Sequence, residues 1–200
     1  MKTKQQVVAE FRRQEIIDAA RSVFARKGFA SGIMDEIASG AGLAKGTIYL
    51  YFRSKEELYK AVLHHDMEAL KLDTLKRIDA AGGLREKIRA FTAARLENAD
   101  AKRELFRIMD NESASASFTR SQYRAWLKEP VLRLAAEIEE AGRRGEVRPV
   151  HPEMAAWAIA DMTRGVIQRR LLGKGDADRV ADAGFLLDFV WAALTSRPGA

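Results

Sequence analysis

The chain has 200 residues, 47% of them hydrophobic, with four prolines and no cysteine. That length carries one large or two modest domains with a real apolar core, the composition argues against disorder, and the missing cysteine excludes disulfides and thiolate metal sites. Net charge is +6, and residues 1–63 hold 11 Lys/Arg against 7 Asp/Glu while the remainder holds 23 against 21, so positive charge gathers in the first third; this fits phosphate contact and equally a mildly basic solvated face.

The opening residues Met1 to Gln6 are polar, which excludes a secretory h-region there. No apolar run nears the ~20 residues of a membrane span. A soluble, cytoplasmic protein without a membrane partner is expected. From Arg13 to Lys27 the residues Ile16, Ile17, Ala20, Val23 and Phe24 recur on one helical face, and Gly28 after Arg26 and Lys27 is a stop signal. Two short helices follow, over 34–40 and 45–51. Ser54 then caps a longer helix through a Ser54-Lys55-Glu56-Glu57 capping box, running to about Ala80 and stopping at Gly82-Gly83. Further helices are predicted over 84–98, 102–112, 119–141 with a bend at Pro130, 152–172 and 177–195. The breakers Gly142, Gly145, Pro149, Pro152, Gly173 and Gly175 separate them. The serine-alanine stretch 113–117 reads as a loop or frayed end. No alternating pattern of strand length appears, so the fold class is all-α.

Within this layout Ala38, Gly42 and Ile48 stand at the relative spacing 0, 4 and 10 of a helix-turn-helix. A small Ala38 lets the two short helices approach. Gly42 supplies the turn, where a positive φ costs other residues energy. Ile48 points back into a small core beside Ile37 and Leu43. The second short helix then fits the major groove. With Ile48 and Phe52 inward, Lys45, Gly46, Thr47, Leu50 and Tyr51 face outward and Tyr49 lies at the margin. Lys45 reaches a base edge or a phosphate, Gly46 permits close backbone approach, and the hydroxyls of Thr47, Tyr49 and Tyr51 suit phosphate oxygens. Lys55 and the amides after Ser54 read as an anion site at a helix N-terminus.

Residues 12–63 resemble the DNA-binding domain of the TetR family of bacterial repressors. The resemblance rests on Gly28-Phe29, Glu36-Ile37-Ala38, Ala41-Gly42, Lys45-Gly46-Thr47-Ile48-Tyr49, the Tyr-x-x-Phe from Tyr49 to Phe52, and Ser54-Lys55-Glu56. It implies a DNA-binding domain over 1–53, joined by a long helix to an effector-binding and dimerisation domain over 54–200. It implies a homodimeric regulator, a repressor released from a near-palindromic double-stranded DNA operator by a small-molecule effector of unknown identity. Carried over by residue, the DNA contacts are Lys45, Thr47, Tyr49, Tyr51 and Lys55. The chain departs from the family at Gly32-Ile33-Met34, where Thr or Ser usually caps the second helix, and at Ala44, where Ser is common. Ser31 or Gly32 is left to cap the former. The alternatives are a regulator without an effector, or a helical ligand-binding or enzymatic module with a vestigial motif.

In the last two helices, Val180, Ala183, Gly184, Leu187, Trp191 and Leu194, with Ala155, Ala158, Met162 and Val166, suit either an intramolecular core or a four-helix interface across a two-fold axis. The resemblance favours the dimer. Phe106, Met109, Phe118, Tyr123 and Trp126 are the candidate ligand-pocket residues, although such side chains at helical spacing are more often plain core; the bias favours an apolar or aromatic ligand. His64-His65-Asp66 invites a metal reading, but adjacent histidines on a helix point about 100° apart, and a solvated face fits better. No catalytic constellation, metal spacing or cofactor motif is present, so no enzyme is expected.

Overall fold

The computed structural model describes residues 3–103, 116–173 and 178–196. Eight helices and no strand occur among them: α1 Lys4–Ser31, α2 Met34–Gly40, α3 Lys45–Tyr51, α4 Lys55–Ala80, α5 Leu84–Ala101, α6 Ala116–Arg143, α7 Pro152–Leu172 and α8 Arg179–Thr195. The helix predicted over 102–112 falls mostly outside the described residues. The chain divides into two compact units, Met1–Met67 and Glu68–Ala200. The division falls inside α4, because Leu58 and Val62 belong to the core of the first unit.

That first core draws Ile16, Ile17, Ala20, Val23 and Phe24 from α1, Met34, Ile37 and Ala38 from α2, and Ile48 from α3, closed by Phe52. The predicted apolar face of α1 is therefore its buried face. The helix itself starts earlier than the periodicity suggested. Thr3 and Gln6 form a reciprocal capping box, with Thr3 Oγ1 accepting from Gln6 N and Gln6 Oε1 accepting from Thr3 N, which satisfies two first-turn amides. At its other end the regular run breaks at Gly28, φ +74°, and one further turn continues to Ser31. Gly42 also takes a positive φ, +65°, as the turn demands.

The entry to α2 corrects the capping expectation. Ile33, not Ser31 or Gly32, occupies the N-cap, and no side chain caps it. Gly32 is constrained for a different reason. A Cβ there would lie 2.7 Å from Phe24 Cδ1, and the Phe24 ring is buried edge-on against Tyr59 at 5.1 Å between centroids. Gly32→Ala is expected to cost about 1–3 kcal/mol through overpacking, read as a lower denaturation midpoint with unchanged helix content at rest.

The pair His65-Asp66 also departs from the expected solvated face. Arg21 on α1 donates Nε to Asp66 Oδ1 at 2.8 Å, and its Nη2 lies 2.6 Å from His65 Nδ1. Gln14 Nε2 lies 3.1 Å from His65 Nε2. The two residues tie α4 to α1, and Asp66 is buried. His151, isolated in sequence, caps α7 by accepting from Met154 N.

The second unit packs a larger core from Ile78, Leu84, Ile88 and Phe91, the stripe Val131, Leu134, Ile138 and Ala141 on α6, Ala156, Ile159 and Ala160 on α7, and Leu187, Val190 and Leu194 on α8. After α6, Gly145 turns at φ +72°. Arg148 then donates its backbone N–H to Leu194 O at 2.8 Å and Nε to Ala193 O at 2.7 Å. A cation thus meets the carbonyl end of α8, where the helix dipole favours it. At the far end of α7, Arg170 is held by Asp100 and Asp182, each at 2.8 Å.

Candidate nucleic-acid interface

Short helices hold their shape in water only when tertiary packing fixes them, and α3 has seven residues. It is fixed through one side. Ile48 is fully buried between α1 and α2, Phe52 closes the turn beyond it, and the guanidinium of Arg13 lies 4.4 Å from the Phe52 ring centroid. Phe52 N also donates to Ile48 O. The entry has no side-chain cap, since Ala44 is the N-cap residue, as its lack of a hydroxyl requires.

With that side anchored, the opposite face is open. Leu50 is 83% and Tyr49 45% exposed, and Lys45 and Gly46 are exposed beside them while Thr47 is half-buried. No atom lies within 4 Å of where a Gly46 Cβ would stand, so the backbone is accessible there. Tyr49, read from sequence at the margin, is the tyrosine that faces solvent. Tyr51, read as outward, is half-buried and packs against the first core. It follows Ile48 by three residues and so shares part of its inward face.

Electrostatics around this face are paired rather than bare. Lys45 Nζ donates to Asp35 Oδ2 at 2.9 Å, and that hydrogen bond, followed by the attraction of the same carboxylate, raises the ammonium above its ordinary value. Glu36 bonds to Lys27 and Arg26, and the Lys27 hydrogen bond holds its carboxyl below the usual range. Both pairs are solvent-exposed and worth little to stability, so phosphate oxygens can replace the carboxylates at small cost.

The anion site expected at the start of α4 is filled from within the chain. Glu57 N donates to Ser54 Oγ at 3.1 Å, and Glu57 Oε2 accepts from Arg53 N at 2.8 Å. Glu56 accepts from its own backbone N–H, the largest cause of its lowered pKa. Lys55 turns toward α1, donating to Ala30 O at 3.0 Å with Nζ 4.7 Å from the Phe29 ring centroid. The local carboxylates and serine serve the amides that were expected to receive a phosphate.

In the second unit the predicted pocket residues are only partly visible. Phe106 and Met109 lie outside the described residues, as does the side chain of Phe118. Tyr123 is buried and Trp126 half-buried on α6. Of the predicted interface residues, Leu187, Leu194 and Val166 are buried within this unit, Ala155, Met162, Ala183 and Trp191 are half-buried, and Ala158, Val180 and Gly184 are exposed. The apolar surface that α8 turns outward includes two residues outside the predicted stripe. Phe185 is 68% and Phe189 56% exposed, their rings 6.0 Å apart and nearly parallel. Their i,i+4 spacing was the sequence signal for a second apolar face. Among the described residues no group of three His, Asp or Glu side chains is placed to hold a metal, and no helix is long and apolar enough to cross a membrane.

Residues 16–62 match the family model for bacterial regulatory proteins of the tetR family. The chain is 24% identical over 186 residues to the HTH-type transcriptional regulator YfiR of Bacillus subtilis (strain 168), covering 88% of this chain and 89% of that one. Two solved structures share the fold. Transcriptional regulator FadR from Bacillus subtilis, in complex with stearoyl-CoA, superposes with a TM-score of 0.72 at 22% identity over 90% of this chain and 98% of FadR. AibR, in complex with isovaleryl coenzyme A and operator DNA, gives 0.60 at 22% identity over 92% and 97%.

Proposed function

We infer, from the premise that this chain is a DNA-binding transcriptional regulator of the TetR family, that it acts as a homodimeric repressor released from its operator by a small molecule. The observation that carries this reading is α3: a short helix anchored through Ile48, with Lys45, Gly46, Tyr49 and Leu50 open on the other side. Tyr49 and Leu50 supply ring and methyl contacts to base edges, Thr47 and Tyr51 supply hydroxyls at the flanks, and Lys45 exchanges Asp35 for a phosphate. Lys55 reaches the backbone only by leaving Ala30, and contributes least. The functional division proposed is 1–53 for DNA and 54–200 for effector and partner.

The dimer reading is supported by the outward apolar face of α8, where Val180, Phe185 and Phe189 are exposed together on one helix, as at interaction surfaces. Two copies related by a two-fold axis place two α3 helices on half-sites ~34–36 Å apart. An effector in residues 54–200 that binds better when the helices are set at another separation shifts the population away from the DNA-competent form. The ligands of FadR and AibR make acyl-coenzyme A esters the first effectors to try.

The test is selection from a random duplex library followed by footprinting with the full chain. A near-palindrome protected over two half-sites, released by isovaleryl- or stearoyl-coenzyme A or another small molecule, is the expected result. Binding without sequence preference, or one protected half-site at saturation, contradicts the dimeric-operator reading.

A further inference from the structure

Arg95 is the most deeply buried cation of the described residues, 5% exposed. It sits on an apolar stripe of α5, after Leu84, Ile88 and Phe91 at helical spacing. Its Nη1 donates to Ala160 O on α7 at 2.8 Å and its Nη2 to Tyr123 Oη on α6 at 2.7 Å. The guanidinium carbon stands 5.2 Å from the Phe91 ring centroid. All of these partners are neutral, and no carboxylate lies within ion-pair distance of Arg95 among the described residues.

The contrast within the same unit is sharp. Arg170, also largely buried, is held by Asp100 and Asp182, and the half-exposed Arg77 by Asp73 and Glu97. A second cation approaches the Arg95 cluster, with the Arg164 guanidinium 5.6 Å from the Tyr123 ring centroid. Burying a guanidinium without a counter-charge is costly, and a structural staple between α5 and α7 needs only a neutral donor. The two bonds to neutral acceptors engage only two of the five guanidinium N–H groups, one on each terminal nitrogen. That donor surplus matches the paired oxygens of a carboxylate or phosphate.

We propose that Arg95, with Tyr123, forms a buried oxyanion site that receives the charged end of an otherwise apolar effector. The proposal rests on the reading of residues 54–200 as the effector domain, and it adds the chemistry of the effector: an apolar body ending in an oxyanion.

The test uses the full chain and three probes with one hydrocarbon length: sodium octanoate, octyl phosphate and the neutral octanamide. Binding is read by melting temperature and by tryptophan fluorescence. The expected result is saturable binding of octanoate or octyl phosphate, with octanamide at least about thirtyfold weaker; which acid binds tells carboxylate from phosphate. Arg95→Met is expected to erase the preference for the acid. If that variant fails to fold, Arg95→Lys and Tyr123→Phe are read instead, each with a reduced acid preference. Equal binding of acid and amide, an unchanged preference in these variants, or no binding of either acid overturns the proposal. Operator affinity measured alongside separates the two readings. Acid binding without DNA release removes the effector role and keeps the site. DNA release by neutral apolar molecules alone keeps the effector role and removes the site.

Discussion

Phe52→Ala is expected to melt the first unit, Met1–Met67. The ring is fully buried where α3 ends, and truncating a buried Phe costs about 3–5 kcal/mol in lost transfer energy and cavity. A small domain holds about 5–15 kcal/mol in total, and this one has a single core of a dozen side chains. Arg13 loses its aromatic face as well. Hydrogen exchange read by mass spectrometry is expected to show protection lost across residues 16–62 and retained in α5–α8, with operator binding abolished. Leu50→Ala, at an exposed position on the same helix, is expected to change stability by no more than about 0.5 kcal/mol. Protection retained in the Phe52→Ala variant would mean that α3 does not depend on this core.

The second large effect concerns self-association. Phe185→Glu together with Phe189→Glu puts two charges on the outward face of α8, where the rings now stack. Neither side chain contributes to the unit's own core, so monomer stability is expected to change little. Buried aromatic anchors at interfaces are worth about 2 kcal/mol or more each on truncation, and a charge adds desolvation. Sedimentation equilibrium is expected to show the parent chain as a dimer and the double variant as a monomer, its association weakened at least about a thousandfold. A variant that stays dimeric at the parent's concentration would place the interface elsewhere.

The sequence was most legible where breakers bracket a strong pattern. The helices over 34–40, 45–51 and 152–172 match α2, α3 and α7 to the residue, because Gly, Pro and a tight turn leave no room for sliding. The start of α1 was not legible from periodicity: Val7, Val8 and Phe11 are exposed, so no buried stripe marks residues 4–15, and the Thr3-Gln6 box was the usable signal. On α8 the difficulty was the opposite. Leu186, Leu187, Val190 and Leu194 fill the core while Val180, Phe185 and Phe189 face outward. A helix apolar on both sides gives periodicity no means of choosing between them.

The open face of α3 was legible because its anchor, Ile48, is defined by local spacing. What was not legible was pairing over long separations. Asp35 meeting Lys45 spans 10 residues, Arg21 meeting His65 spans 44, and Arg95 meeting Ala160 spans 65. Such contacts turned a solvated histidine face into an internal tie. They also placed one arginine of a core stripe between neutral partners on two other helices.

The central claim is that α3 reads DNA, and fluorescence anisotropy on the selected operator tests it most directly. The parent chain is compared with Lys45→Ala and Tyr49→Ala at two salt concentrations. Tyr49→Ala is expected to lose about 1–3 kcal/mol of specific affinity, and Lys45→Ala to weaken binding to all sequences and lower the salt slope by about one. Both variants should keep the parent's circular dichroism, since both side chains are exposed. Operator affinity equal to the parent's in both variants would contradict the assignment of α3 as the recognition helix.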